Sequence, residues 1–271
     1  MDNIEAQIEQ ETCRKYSGET GVYKPETISH LPNDQSQDFS QNLLRFKFEL
    51  VRKISGGAVM LDVGCGNGLH AMEMAKTAKE VCGIDFSEAF ISYARNVAAE
   101  RGMVNVHFSC ENARNLPFSA DHFDVAYCFA ALYYMPAPLD VAAEIARVLK
   151  PGGICVLELG NVHSLNSIVC EYYPEWARGC YIPVSKMKKI VKEAGLVLRH
   201  QYSFQLLPMW ADRPRWLWPL LHPMWKRIML SRLRGRTLDE WLCNLPIVGR
   251  FAFRHVMVCE KLSSAKQAKG A

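Results

Sequence analysis

Three closely spaced glycines and two strand-end aspartates are the residues of this 271-residue chain that could form a ligand site. Residues 59–63 are mostly apolar, which predicts a buried parallel strand. The strand leads into Gly64, Gly66 and Gly68, so a tight turn and then a helix from Leu69 should follow. Glycine lacks a Cβ, so the chain can turn sharply and a ligand can lie against the backbone. The stretch predicts a nucleotide-binding loop.

The spacing of these glycines narrows the class of nucleotide. A phosphate-binding P-loop would carry Lys followed by Ser or Thr after the last glycine, whereas Leu69 and His70 stand there. The dinucleotide fingerprint G-x-G-x-x-G also fails, because the spacing here is G-x-G-x-G. Asp62 comes two residues before the first glycine, where a carboxylate suits an ammonium group better than a pyrophosphate.

A second acidic strand end follows at Asp85, seventeen positions beyond Gly68. A carboxylate at the tip of the second strand of a βαβ unit can accept hydrogen bonds from both hydroxyls of a ribose. The alternative role for Asp85 is a helix cap, but Ser87 is the better cap. Phe86 is placed to lie on one face of an adenine ring.

The run Leu61-Asp62-Val63-Gly64-Cys65-Gly66-Asn67-Gly68 resembles motif I of the class I S-adenosylmethionine-dependent methyltransferases, of the small-molecule, type 11-like group. Further runs resemble other motifs of this family: Glu111 to Phe118 (G-D-A-x-x-L-P-F), Phe123 to Val125 (F-D-x-V) and Arg147 to Gly153 (R-x-L-K-P-G-G). The resemblance covers residues 43–160 clearly and 186–204 loosely. It implies S-adenosylmethionine as cofactor.

Two positions depart from the family pattern. Glu111 and Asn112 replace the usual Gly and Asp, and the acidic position meets the adenine amino group in the family. The amide oxygen of Asn112 can accept the same proton, and Ala113 would offer its backbone N–H to the ring. Residues and resemblance together predict cofactor contacts from Asp62, Gly64, Cys65, Gly66, Asp85, Phe86, Asn112, Ala113 and Phe129. No metal ligands are predicted.

The sulfonium methyl of such a cofactor is already electrophilic, so the protein mainly has to hold a nucleophile in line behind it. His163, in the loop after the fifth strand, and Tyr133, after the fourth, are the candidate catalytic groups. The fourth strand ends in the apolar run 128–131 and lacks N-P-P-Y, which argues against DNA adenine methylation. We therefore expect a small, partly apolar or lipid-like acceptor methylated on oxygen, nitrogen or carbon.

Five βα units in sequence predict a doubly wound α/β sheet. The resemblance implies a Rossmann-like, seven-stranded, mostly parallel sheet with an antiparallel last strand. We expect an N-terminal segment or lid (1–42), a cofactor-binding domain (43–206 plus 251–262), an inserted helical segment between strands six and seven (207–250) and a disordered tail (263–271).

The insertion holds five of the six tryptophans together with several arginines. This composition suits a lid over an apolar substrate, a membrane surface or a dimer face. Nucleic acid is not expected as a partner, because Pro208, Pro214, Pro219 and Pro223 divide the basic part of the segment and the net charge of the chain is only +4.

The remaining composition is that of an ordinary globular protein, with 49% hydrophobic and 22% charged residues. Ten scattered cysteines without a C-x-x-C, a polar N-terminus and no long apolar run predict a cytoplasmic protein, possibly membrane-associated. The alternatives are an arsenic methyltransferase, a propylamine transferase, a nicotinamide oxidoreductase, and a non-catalytic S-adenosylmethionine-binding or membrane-associated partner protein.

Overall fold

The chain alternates short apolar strands with amphipathic helices, and the computed structural model describes residues 2–17, 23–32 and 39–262. The strands are β1 (Val59–Val63), β2 (Glu80–Asp85), β3 (Val106–Cys110), β4 (Phe123–Cys128), β5 (Leu149–Gly160), β6 (Leu196–Phe204), β7 (Arg232–Leu233), β8 (Arg236–Thr237) and β9 (Arg254–Lys261). The helices are α1 (Asp2–Tyr16), α2 (Phe39–Ser55), α3 (Leu69–Met74), α4 (Glu88–Glu100), α5 (Pro138–Val148), α6 (Leu165–Cys170), α7 (Val184–Glu193), α8 (Trp218–Leu221), α9 (Pro223–Met229) and α10 (Leu238–Cys243).

Seven strands form one sheet in the order β3-β2-β1-β4-β5-β9-β6. Strands β1 to β5 pair in parallel, and β9 runs antiparallel between β5 and β6. The predicted Rossmann-like sheet with an antiparallel last strand is confirmed. Because β1 pairs with both β2 and β4, the strand order reverses beside it, and such a reversal leaves a crevice at the carboxyl ends of the strands.

Both faces of the sheet are covered by helices. Side chains alternate across a strand, so Met60 of β1 belongs to one core and Leu61 to the other. The first core includes Phe48 of α2 and neighbours from α3 and α4. The second includes Ile145 of α5 and Met187 of α7. Because both faces of the sheet are buried, successive side chains of the parallel strands are nearly all apolar.

Several element boundaries differ from those that the sequence predicts. The sixth strand was expected to run to 206, but Gln205 has a φ of +67° and its N–H, like that of Leu206, donates to the Asp239 carboxyl. The last strand was expected from 251, but residues 248–251 form a 3-10 turn and β9 begins at Arg254. The helix expected from Leu69 is short and ends at Met74, and α6 has no counterpart in the prediction.

The insertion at 207–250 contains short helices and a small hairpin. Its first part packs Leu217 and Leu221 against Val169 and Tyr173. Its last helix, α10, lies against β6. The segment is therefore anchored to the sheet domain at both ends.

Within the N-terminal segment, Asp2–Tyr16 form helix α1. The tail expected at 263–271 lies outside the described residues, and the division of the chain into four parts stays a prediction. Of the helices that the structure describes, none is long and apolar enough to cross a bilayer.

Candidate active site

A cavity of about 1090 Å³ opens at the carboxyl ends of the parallel strands. One half of its wall comes from the glycine loop and the residues that follow β2 and β3. The other half comes from the ends of β4, β5 and β9 and from the aromatic residues around them. Part of the N-terminal segment lies across both halves.

The glycine loop is folded against β2. The backbone N–H groups of Gly64 and Cys65 both donate to the Ile84 carbonyl. Gly64 has a φ of +74°, and a Cβ there would lie 2.4 Å from the Cβ of Ala131. At Gly66, with a φ of +54°, a Cβ would meet nothing nearer than 3.7 Å. Gly64 is therefore required by conformation and close packing, and Gly66 leaves open space on the cavity side of the loop.

Asp85 is held at the cavity wall by backbone donors. Its Oδ2 accepts the N–H of Gly66 at 2.9 Å and its Oδ1 accepts the N–H of Ser87 at 3.0 Å. Burial raises the pKa of the carboxyl, and these N–H groups oppose the rise only in part. Each carboxylate oxygen has a second lone pair, so two hydroxyl donors could still bind. This arrangement fits a ribose, whose two hydroxyls could donate hydrogen bonds to these remaining lone pairs.

The residues expected around an adenine ring also reach the cavity. Phe86, 42% exposed, and Ala113 contribute to its wall. Asn112 lines it too, and its Oδ1 accepts the N–H of Arg114 at 2.9 Å. The second lone pair of that oxygen remains for another donor. Phe129, at the end of β4, lines the cavity at 5% exposure.

The sequence predicts that Asp62 contacts the cofactor, but the structure buries this residue behind the cavity wall. Its side chain is only 2% exposed and is not part of the cavity wall, so it does not present a carboxylate to an ammonium group there. Its Oδ2 has no hydrogen-bond partner among the described residues. Burial raises the pKa of Asp62 to about 8, which the nearby Tyr127 hydroxyl opposes without reaching hydrogen-bond geometry.

The two candidate catalytic residues have different positions. His163 lies on an exposed loop outside the cavity, and its backbone N–H donates to Asn161 Oδ1. Tyr133 lies in the cavity wall at 5% exposure. Burial raises the pKa of Tyr133 well above its usual value, so its hydroxyl stays protonated near neutral pH. Tyr133 can therefore donate a hydrogen bond to an acceptor, but it is a poor general base.

The cavity also contains a charge cluster formed by Lys47 from α2, Glu158 from β5 and Arg254 from β9. Lys47 Nζ lies 2.5 Å from Glu158 Oε2, which also accepts the N–H of Ala130 at 3.0 Å. Burial raises the pKa of Glu158, but the charges of Lys47 and Arg254 more than reverse this and lower it.

The sequence carried a signal for one member of this cluster. Lys47 lies four residues from both Leu43 and Val51, which are buried on the same stripe of α2. A lysine on such a stripe should have a buried partner, but nothing in the sequence identified Glu158 as that partner. His70 also lines the cavity. Its pKa is lowered to about 4, mainly by burial and to a smaller extent by repulsion from the charge of Lys47.

Aromatic side chains cover the second half of the cavity. They are Tyr133, Tyr134, Tyr173, Trp176, Tyr181, Trp210 and Phe253. Only Trp210 among them belongs to the insertion. Tyr16 and Tyr23, stacked at 4.3 Å between ring centroids, come from the N-terminal segment.

The N-terminal segment is tied to both halves of the cavity. The Tyr16 carbonyl accepts the Ser87 hydroxyl at 2.8 Å, beside the glycine-loop half. The Tyr23 hydroxyl accepts the N–H of Ala177 at 3.0 Å, on the aromatic half. The two tyrosines thus lie over the junction of the halves.

None of the ten cysteines, all of which lie in the part of the chain that the structure describes, forms a disulfide. Within residues 2–17, 23–32 and 39–262, no group of three His, Cys, Asp or Glu side chains is arranged to hold a metal ion.

Comparison with known proteins extends these observations. A family model described as a methyltransferase domain matches residues 54–202. The ubiquinone biosynthesis O-methyltransferase of Coxiella burnetii is 35% identical over 112 residues, which are 41% of this chain and 47% of that protein. The chain therefore matches about half the length of this curated relative.

Two solved structures share the fold over nearly the whole chain. The [4+2]-cyclase SpnF is 22% identical with a TM-score of 0.62, covering 93% of this chain and 96% of its own. Geranyl diphosphate C-methyltransferase from Streptomyces coelicolor, solved with S-adenosyl-L-homocysteine, is 15% identical with a TM-score of 0.61, covering 94% and 98%. Similarity at this level establishes the fold alone, since one fold supports different chemistries.

Proposed function

Because the chain belongs to the class I S-adenosylmethionine-dependent methyltransferases, we propose that it transfers a methyl group to a small, partly apolar acceptor on oxygen, nitrogen or carbon. The observation that carries the proposal is the single cavity, which joins Asp85 and the glycine loop to an aromatic half around Tyr133. Cofactor and acceptor would lie side by side in it, away from bulk water.

When bound, S-adenosylmethionine supplies an electrophilic methyl on its sulfonium. Asp85 would hold the ribose and Phe86 and Asn112 the adenine, with Gly66 leaving room beside the loop. These contacts fix the direction in which the methyl points, and holding the reactants in line accounts for much of such a reaction's acceleration.

The aromatic half of the cavity would orient the acceptor. The hydroxyls of Tyr133 and Tyr134 stay protonated, since burial raises both pKa values, and so they can donate hydrogen bonds but not remove protons at neutral pH. His163 does not line the cavity. An acceptor atom that enters with a free lone pair or in ionised form would need no proton acceptor from these residues.

The first test is calorimetric titration of the full chain with S-adenosylmethionine, S-adenosylhomocysteine and NAD. Micromolar binding of the two sulfur nucleosides, without NAD binding, is the expected result, followed by methylation in a screen of small acceptors. Failure of both sulfur nucleosides to bind would refute the proposal. Binding without turnover on any acceptor would favour the alternative of a non-catalytic partner protein.

We also propose that the enzyme is cytoplasmic and that it contacts an anionic membrane through the insertion. Two observations on the insertion support this proposal. Trp216 is 65% exposed and Trp218 is 49% exposed, and several other large apolar side chains of 207–250 are exposed as well. The segment also carries exposed arginines, including Arg232, Arg234 and Arg236. Indole rings favour the headgroup region and arginines favour anionic lipids.

A further inference from the structure

Arg254 is the first residue of β9 and lines the aromatic half of the cavity. It lies opposite Gly160 of β5 and Phe204 of β6. Its guanidinium lies 3.9 Å from the centroid of the Tyr133 ring and 4.2 Å from that of Phe253. These ring contacts fix the plane of the guanidinium, and the side chain is only 15% exposed.

The hydrogen bonds of this guanidinium are incomplete. Its nearest carboxylate contact is Nε to Glu158 Oε1 at 3.8 Å, which is an ion-pair distance but too long for a hydrogen bond. Its Nη1 is buried and has no hydrogen-bond partner among the described residues. A buried donor without a partner is unfavourable unless a ligand completes it.

The charges around Arg254 do not balance either. Lys47 and Arg254 share one carboxylate, and Glu158 is already occupied by Lys47 at 2.5 Å. The other carboxylates on this part of the wall have their own cations, since Glu11 pairs with Lys15 and Glu171 lies 3.6 Å from Arg178. The tyrosine hydroxyls nearby are neutral. One positive charge is thus left facing the cavity.

We propose that Arg254 binds an anionic oxygen group of the acceptor, a carboxylate or a phosphate, and thereby positions the acceptor for methyl transfer. A fixed, planar guanidinium matches the two oxygens of such a group, whereas a neutral acceptor would leave Nη1 without a partner. This inference rests on the proposed function and specifies its substrate class: an acid with an apolar or aromatic body.

The anion could also be the carboxylate of the cofactor itself. The position of Arg254 favours the acceptor. Asp85 lies at the end of β2, and β9 is four strand positions away, on the order of 19 Å at the usual spacing. With Asp85 on the ribose, the short amino-acid arm of the cofactor would have to cross most of that separation to reach Arg254, so the far end of the cavity would be left for another molecule.

The test uses the full chain saturated with S-adenosylhomocysteine. Three anions are titrated beside their neutral counterparts: benzoate with benzamide, phenyl phosphate with phenol, and decanoate with decanamide. At least one anion should bind tenfold or more tightly than its neutral counterpart. If no anion is preferred, the proposal is overturned, and this comparison needs no variant.

Variants then test whether Arg254 causes the preference for anionic over neutral ligands. Arg254→Gln should abolish it while leaving neutral ligands unchanged, and Arg254→Lys should keep part of it because the charge remains without the fork. Arg199→Gln, which removes an arginine paired with Glu260 on the neighbouring part of the sheet, should have no effect. An unchanged anion preference in Arg254→Gln would also overturn the proposal.

The same variants also test whether Arg254 binds the carboxylate of the cofactor's amino-acid arm. Their affinities for S-adenosylhomocysteine and for methylthioadenosine are compared. If Arg254→Gln weakens S-adenosylhomocysteine tenfold but leaves methylthioadenosine, which lacks the amino-acid arm, unchanged, then Arg254 binds the cofactor carboxylate and the proposal fails. The proposed function would survive that result, because it depends on cofactor binding by the wild-type chain. Loss of wild-type cofactor binding would instead refute the proposed function.

Discussion

Asp62 and Asp85 end neighbouring strands, yet their environments differ. Asp85 accepts two backbone N–H groups and lines the cavity, whereas Asp62 lies beneath the loop with an unpartnered oxygen. A carboxylate oriented by donors and open to a cavity suits ligand binding. A carboxyl buried without donors is more stable in its protonated form.

Asp85→Ala should weaken S-adenosylhomocysteine binding by about 1.5 to 3 kcal/mol, roughly ten- to hundredfold, because charged hydrogen bonds to the ribose are lost. Calorimetric titration measures the change. Asp140→Ala, at an exposed helix start that does not line the cavity, is the matched control and should bind normally. An unchanged affinity for Asp85→Ala would remove this residue from the ribose site.

Asp62→Asn should flatten the pH dependence of stability of the ligand-free protein. The pKa of Asp62 is about 8 in the folded chain against an ordinary 3.8, so the folded state holds this proton more tightly. The resulting stabilisation is complete below about pH 4 and is lost as the pH rises to about 8. Melting temperatures measured between pH 5 and pH 8 should therefore fall more steeply for the wild type than for Asp62→Asn. Parallel curves would contradict this.

At the scale of elements, the conformation of the glycine loop excludes a side chain at Gly64 for two reasons. One is the positive φ and the other is a steric clash, and a second glycine allows the two effects to be measured separately. Gly64→Ala adds a Cβ 2.4 Å from Ala131 at a φ of +74°, so both strain and a clash arise. Gly102→Ala has a similar φ of +63° with nothing within 4 Å, so only strain of about 1 to 2 kcal/mol should appear.

Urea unfolding of the two glycine variants measures this difference. We expect Gly64→Ala to lose clearly more stability than Gly102→Ala and to lose cofactor affinity as well, since the loop must shift. Equal losses in both variants, with cofactor affinity retained, would mean that the loop accommodates the methyl group.

Helix α2 is joined to the sheet by the ion pair of Lys47 and Glu158, whose side chains are 5% and 2% exposed. Lys47→Met leaves a buried carboxylate with one cation fewer, which should cost about 3 to 5 kcal/mol of unfolding free energy. The matched control is Arg52→Met on the same helix. Its pair with Glu73 is 47% exposed on the arginine side, so about 0 to 1 kcal/mol is expected.

Denaturant unfolding gives both values. Adding Glu158→Gln to Lys47→Met should recover part of the loss, because the uncompensated charge disappears. A loss no larger than that of Arg52→Met would show that the pair contributes little to holding α2.

At the scale of the whole molecule, the proposed membrane contact depends on the exposed tryptophans of the insertion. The double variant Trp216→Ala/Trp218→Ala should reduce binding to vesicles of equimolar phosphatidylcholine and phosphatidylglycerol several-fold, because two exposed indoles are lost. Binding to S-adenosylhomocysteine should not change, since neither residue lines the cavity. Vesicle co-sedimentation provides the readout.

The one tryptophan outside the insertion, Trp176, offers the control for that experiment. Trp176, 42% exposed on the segment before α7, should not affect vesicle binding when changed to Phe. If the wild type does not bind these vesicles, or if the double variant binds equally well, the membrane proposal fails.

The sequence alone determined the strand, turn and helix at 59–74, the acidic strand ends and the order of βα units. These features follow from local rules: apolar runs form buried strands, glycines permit positive φ, and consecutive βα units join right-handedly. That is why the fold and the glycine loop could be predicted. The differences were the unpredicted short helix α6 and element boundaries such as Gln205, where a contact from Asp239 ends the strand.

The tertiary structure alone decided which polar residues reach the cavity. Lys47 and Glu158 are 111 positions apart, and Arg254 comes from the last strand, so only the packing of α2, β5 and β9 brings them together. The same packing buried Asp62, opened Asp85 to the cavity and left His163 outside it. Burial and charge pairing depend on neighbours distant in sequence, which local patterns of residues do not encode.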